Sequence, residues 1–298
     1  MDDILQFDTV SAYDAFHHHE NLHPLVSVID FTETQPLDYA PWMRFGFYAM
    51  FLKDIQCGNI KYGRDTYDYQ DRTLVFFAPG QALTIETTKG YKPQGYGLLF
   101  HPDLIHGTSL GRTIDDYAFF SYNVREALHL SEKERKVVLD CFTKIEYELQ
   151  QSIDKHSRTL IVTNIELFLN YCVRFYDRQF ITRNDVNKGI LGRFESLLSD
   201  YFKSDSPQLH GLPAVSYFAE QMNLSPNYFG DLIKKETGKS AQEYIQLKII
   251  NIAKDRVLGS RKLVSEIGYE LGFKYPQHFT RAFKKVTGYS PNDYRSLN

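Results

Sequence analysis

Cysteine is scarce: Cys57, Cys141 and Cys172 are the only three in 298 residues. They are odd in number and far apart, which argues against a disulfide framework and against a zinc motif, and all three are expected to be reduced and buried. No stretch of about 18 apolar residues could span a bilayer, and no basic-apolar leader opens the chain, so a cytoplasmic protein without a membrane partner is expected. The run His17-His18-His19 has no partner at helical or hairpin spacing and reads as a solvated loop or cap. His101 and His106 are isolated. Nothing here predicts a catalytic group, a metal site or a cofactor.

A basic excess is also missing, since the net charge is −3. The balance is uneven along the chain, however. From Ser206 to Asn298 there are 13 Lys and Arg against 8 Asp and Glu, leaving 21 against 29 for the remainder. Such asymmetry fits a basic binding module joined to something else. The length gives room for about two domains, and 43% hydrophobic with 24% charged residues is ordinary for a folded protein.

What the sequence does contain is one stretch written twice. Val215-Ser216-Tyr217-Phe218-Ala219, Met222-Asn223-Leu224-Ser225-Pro226 and Phe229 are followed by Lys234-Lys235 and Thr237-Gly238. Val264-Ser265-Glu266-Ile267-Gly268, Leu271-Gly272-Phe273 and Pro276 through Phe279 precede Lys284-Lys285 and Thr287-Gly288 in the same order. Two copies are too few for a solenoid and suggest a paired module. Each copy has the grammar of a helix-turn-helix. A small residue (Ala219, Gly268) lets two helices cross, and a residue tolerant of positive φ (Asn223, Gly272) makes the turn. Pro226 and Pro276 suit first helical positions, and Gly238 and Gly288 suit helix stops.

The second helix of each copy is expected to bury Phe229, Leu232 and Ile233, or Phe279, Ala282 and Phe283. The first then leaves Asn227, Tyr228, Gly230, Asp231, Lys234 and Lys235 outward. The other leaves Gln277, His278, Thr280, Arg281, Lys284 and Lys285. Amide and guanidinium groups suit base edges and paired lysines suit phosphates, although any one of them could belong to a plain solvated face. Between the copies, Ala241 to Leu258 reads as an uninterrupted helix of about 27 Å, a strut able to hold two reading helices one turn of B-DNA apart.

These motifs resemble the DNA-binding domain of AraC-type transcription regulators. The resemblance covers about a third of the chain, including Phe279-Thr280-Arg281-Ala282-Phe283-Lys284-Lys285 and Thr287-Gly288-Tyr289-Ser290-Pro291. It implies that base-contacting positions fall on Asn227, Gly230 and Asp231 and on Gln277, His278 and Arg281. Gly230 cannot reach a base and Asp231 repels phosphate, so the second helix should carry more of the direct readout. The implied partners are double-stranded DNA and RNA polymerase, and activation is the implied role.

From Arg44 to Phe120, short aromatic and β-branched runs cut by Gly, Pro, Asn and Asp predict an antiparallel all-β region, a sandwich or small barrel. Given the tail, this region is similar to the cupin-type β-barrel that binds a small-molecule effector in many family members. Metal-binding cupins carry a closely spaced His-x-His, which is missing here. Trp42, Phe47, Phe51, Phe76 and Phe100 are candidates for lining an apolar pocket, and each also reads as simple core. Ser131 to Ile153 and Leu160 to Tyr176 predict a helical hairpin that packs on the barrel or, by resemblance, forms the seam of a homodimer.

The expected fold is thus α+β with two domains. An N-terminal cupin-like barrel occupies 1–130, the hairpin 131–188, and an all-α double helix-turn-helix 189–298. The expected function is sequence-specific transcription regulation under an effector-sensing barrel. The alternatives are a small-molecule cupin enzyme with an accessory DNA-binding tail, and a regulator without a ligand.

Overall fold

The structure is a computed structural model describing residues 4–34, 42–53, 59–62, 65–67, 72–86, 94–122, 126–182 and 184–297. The chain divides into two compact units, Met1–Thr182 and Arg183–Asn298.

The first unit opens with β1 (Ile4–Phe7) and α1 (Val10–Phe16), then β2 (Val26–Asp30), β3 (Trp42–Phe45), β4 (Tyr48–Lys53), β5 (Asn59–Tyr62), β6 (Asp65–Tyr67), β7 (Thr73–Phe77), β8 (Ala82–Glu86) and β9 (Gly95–Phe100). Short helices α2 (Pro102–Ile105) and α3 (Ser109–Thr113) lead to β10 (Leu128–His129) and the hairpin α4 (Glu132–Leu149) and α5 (Ser157–Thr182). The N-terminal segment before the His17-His18-His19 run is regular, forming β1 and α1. Phe7, Val10 and Tyr13 belong to the main apolar core, and the Thr9 hydroxyl caps α1 by accepting from the Ala12 N–H at 3.2 Å.

Among the described residues the strands form two five-stranded sheets, β1-β3-β8-β5-β6 and β10-β7-β4-β9-β2, rather than one closed ladder. Pairing is antiparallel except for β1 beside β3. Both sheets contribute to the core, Met43, Phe45 and Leu83 from one and Ile29, Phe51, Phe77 and Leu99 from the other. The second sheet is buried on both faces, which explains its continuous apolar runs. Phe51 and Phe77 point into the core. Phe76, next to Phe77 in the pleat, packs against Phe119 at 4.3 Å and Tyr176 at 6.1 Å on the other side.

Helix α4 starts with a capping box in which Glu134 Oε2 accepts from the Ser131 N–H at 2.8 Å. Arg178 forks onto the same carboxylate, donating from Nε at 3.0 Å and from Nη2 at 2.8 Å. Helix α5 runs beyond Tyr176 through a charged and polar stretch to Thr182, and α6 begins at Asn184. The physical reason is anchoring. Gln179 bonds Ala127 O and the His129 N–H, and Phe180 is buried, so the polar stretch stays helical. Cys141 and Cys172 are free and buried, whereas Cys57 lies outside the described residues.

The second unit is helical: α6 (Asn184–Lys203), α7 (Ser206–His210), α8 (Val215–Gln221), α9 (Pro226–Thr237), α10 (Ala241–Gly259), α11 (Val264–Glu270), α12 (Pro276–Thr287) and α13 (Pro291–Leu297). Helix α7 starts with Pro207 in its first turn. Helix α10 touches α9 as well as α11, α12 and α13, so it joins the two halves as a strut. Helix α6 lies alongside: its Phe194 packs on Phe218, Phe229 and Tyr244, and further on Phe202 O accepts from Arg256. No described helix is long and apolar enough to cross a membrane.

Candidate nucleic-acid interface

The duplication extends to individual hydrogen bonds. In the first turn Asn223 sits at φ 55° and the Leu224 N–H donates to Ala219 O at 2.9 Å. In the second Gly272 sits at φ 89° and the Phe273 N–H donates to Gly268 O at 3.0 Å. Both reading helices stop at a left-handed glycine whose N–H donates to a lysine carbonyl, Gly238 to Lys234 and Gly288 to Lys284, each at 2.9 Å. The last-turn threonines repeat as well, Thr237 donating to Ile233 O at 2.7 Å and Thr287 to Phe283 O at 2.8 Å. Ser240 with Glu243 and Ser290 with Asp293 then start the next helix in each copy.

The helix starts differ. The Ser225 hydroxyl oxygen accepts from the Tyr228 N–H at 3.2 Å, whereas Tyr275, in the equivalent place before α12, makes no side-chain cap bond. Gly268 gives α11 a close approach to α12: a Cβ there would lie 3.2 Å from the Phe279 ring. Its counterpart Ala219 is fully buried.

On α12 the expected outward set is exposed except for Thr280, which is half-buried. Gln277, His278, Arg281, Lys284 and Lys285 are exposed, Phe279 and Phe283 are fully buried, and Ala282 is half-buried rather than buried. On α9, Asn227, Lys234 and Lys235 are exposed and Asp231 is half-buried. Tyr228, expected to face outward, is only 5% exposed. Three helices, α6, α8 and α10, pack on α9, which leaves a narrower open face than an isolated helix-turn-helix would have. The last turns of α9 and α12 each carry a lysine pair, favourably placed for the helix dipole and for phosphate.

The five aromatic residues proposed for a pocket in the first unit are not brought together. Phe47 and Phe51 are in the core between the sheets. Phe76 and Phe100 lie on the opposite face of the second sheet, Phe100 stacked on Tyr48 at 4.9 Å, and Trp42 is half-buried on the other sheet. The alternation of side chains along a strand separates them.

The polar site that sequence reading missed in this unit is His17. Expected in a solvated tract, it is 3% exposed, wedged between Tyr13 at 4.5 Å and Phe31 at 5.5 Å between ring centres. Neither ring nitrogen has a hydrogen-bond partner, and burial pushes its pKa down to about 4. Asp14, one turn earlier, is fully buried and accepts from Asn21 Nδ2 at 2.8 Å. The period from Val10 through Tyr13 to His17 was the available signal.

Residues 218–296 match a family described as a helix-turn-helix domain. An uncharacterised HTH-type transcriptional regulator of Bacillus subtilis, YtdP, is 35% identical over 77 residues, 26% of this chain and 10% of that protein. The HTH-type transcriptional activator RhaR of Escherichia coli K12 is 26% identical over 104 residues, 35% of this chain and 37% of that one. Among solved structures, the C-terminal domain of AraT, a response regulator from Geobacillus stearothermophilus, is 28% identical with a TM-score of 0.33, covering 37% of this chain and 85% of that chain. The match thus spans between about a tenth and a third of these curated relatives. Residues 218–296 of the C-terminal unit thus form a helix-turn-helix domain of the AraC type.

Proposed function

We propose that this protein is a sequence-specific DNA-binding transcription regulator, an activator, whose N-terminal unit senses a signal. The observation that carries the reading is the pair of helices α9 and α12. They have matched turns and stops, exposed polar faces and last-turn lysine pairs, and a single strut joins them. Arg281 and Gln277 read base edges, while Lys234, Lys235, Lys284 and Lys285 neutralise phosphates. The family match and the activator role of RhaR support the same reading. Selection of bound sequences from random duplexes tests it. The enriched site should contain two half-sites about 10 bp apart. Binding without any enriched sequence would overturn it.

RNA polymerase is the expected protein partner, and the cytoplasm the expected compartment. A homodimer is supported by Leu160, Leu167 and Ile181 on α5, which share one exposed stripe at multiples of seven residues. A Leu160→Lys, Leu167→Lys variant should sediment as a monomer where the wild type does not.

Control by a partner or by abundance, without a ligand, has one observation in its favour. The rings of Tyr13, Phe45, Phe47 and Phe51 pack against one another between the sheets at 5.2 to 6.5 Å. A screen of small metabolites that raises the unfolding temperature of the N-terminal unit would exclude that reading.

A further inference from the structure

A groove of about 690 Å³ runs between α10 and α12. One end is Gly238 and Lys239, where the first reading helix stops, and one wall is the α12 face bearing His278, Arg281 and Lys285. The groove therefore borders the end of one reading helix and a face of the other. Helix α10 presents Gln242 and Gln246 to the groove, one turn apart and both exposed. Ile245, Ile249 and Phe273 supply apolar lining.

The charge is asymmetric. Lys239, Arg281 and Lys285 face it, and Glu243 is the one carboxylate among its lining residues. That carboxylate is already held by the Ser240 N–H and hydroxyl, both donating to Oε2 at 2.9 Å. An anionic, continuous ligand with apolar sugar faces fits this surface better than a neutral one.

We propose that the groove seats the sugar-phosphate backbone of the DNA between the two major-groove segments, Lys239 and Lys285 pairing phosphates and Gln242 and Gln246 donating amide hydrogen bonds to them. The assignment rests on α9 and α12 reading DNA. It adds a sequence-independent grip between the two reading helices, so its loss lowers affinity without changing base preference.

The test uses the full chain, the duplex found by selection and a random duplex of equal length. Gln242→Glu/Gln246→Glu places two negative charges in the groove on exposed helical positions. Asn251→Glu is the control, because nine residues along α10 is half a revolution from Gln242. The double variant should lose about tenfold or more in affinity for both duplexes with its base preference unchanged, and Asn251→Glu should stay within about twofold. Lys239→Ala should lower the slope of log affinity against log salt by about 0.9. Wild-type affinity in the double variant together with an unchanged slope in Lys239→Ala would assign the groove to another occupant, such as a small anion, and overturn the proposal. A wild type that binds no DNA would overturn the parent reading as well.

Discussion

Gly272 and Asn223 occupy equivalent turn positions, and exchanging their residue types separates two reasons for a glycine. Both have positive φ, at 89° and 55°, which asparagine tolerates. Conformation alone therefore predicts that Gly272→Asn is cheap. The surroundings say otherwise. A Cβ at Gly272 would lie 2.6 Å from Gly211 C, 2.7 Å from Gly211 O and 2.9 Å from Pro207 O, all backbone atoms that cannot rotate away. Overpacking of this kind costs about 1–3 kcal/mol. Gly272→Ala should cost about 1–2 kcal/mol more than that, because alanine also resists the left-handed region. The reciprocal Asn223→Gly should cost only about 0.5–1 kcal/mol, mostly from the entropy of the unfolded chain. The assay is urea unfolding of the full chain, followed by far-UV circular dichroism and by fluorescence. Trp42 is the only tryptophan and lies in the first unit, so its transition is an internal control. Gly272→Asn should shift the dichroism transition of the second unit and leave the Trp42 transition in place. An unshifted dichroism midpoint would refute the close-approach argument, and equal movement of both transitions would refute the assignment of the effect to the second unit.

Other outcomes follow from the same structure. Arg281→Ala should cost about 1–3 kcal/mol on the selected sequence and relax preference at one base, whereas Lys284→Ala should weaken all sequences alike, as titrations on specific and random duplexes would reveal. His17 is held neutral by burial, its pKa lowered from 6.5 to about 4. Its contribution is therefore complete above pH 6.5 and is lost as pH falls toward 4, at about 1.4 kcal/mol per unit. Asp14 beside it, its pKa raised chiefly by burial, acts in the opposite sense, so the comparison must be between wild type and His17→Phe. The variant should flatten the fall in stability between pH 6.5 and 4.5, and parallel curves would defeat the argument. Phe194→Ala, which strips the ring from between Phe218 and Phe229, should cost about 3–5 kcal/mol in the second unit and spare the Trp42 transition.

The paired helix-turn-helix was legible because its signals are local. Small residues at the crossings, positive-φ turn residues and the glycine stops act over fewer than about ten residues, and the repetition displayed each of them twice. The α12 face was equally legible, since burial of Phe279 and Phe283 leaves Gln277, Arg281 and Lys284 only one direction to point. What the sequence could not supply were contacts between distant segments. Tyr228 is buried because α6 and α10 flank α9, and no pattern within α9 encodes those neighbours. His17 is buried by Phe31 from the next strand region, against the polarity of its own tract. The aromatic residues of the first unit look alike in sequence, and only the register that sets Phe51 opposite Val75 assigns Phe51 to one face and Phe76 to the other. Local hydrogen bonding and periodicity specify elements, whereas burial is a property of everything packed around them, and that was decided only when the chain had folded.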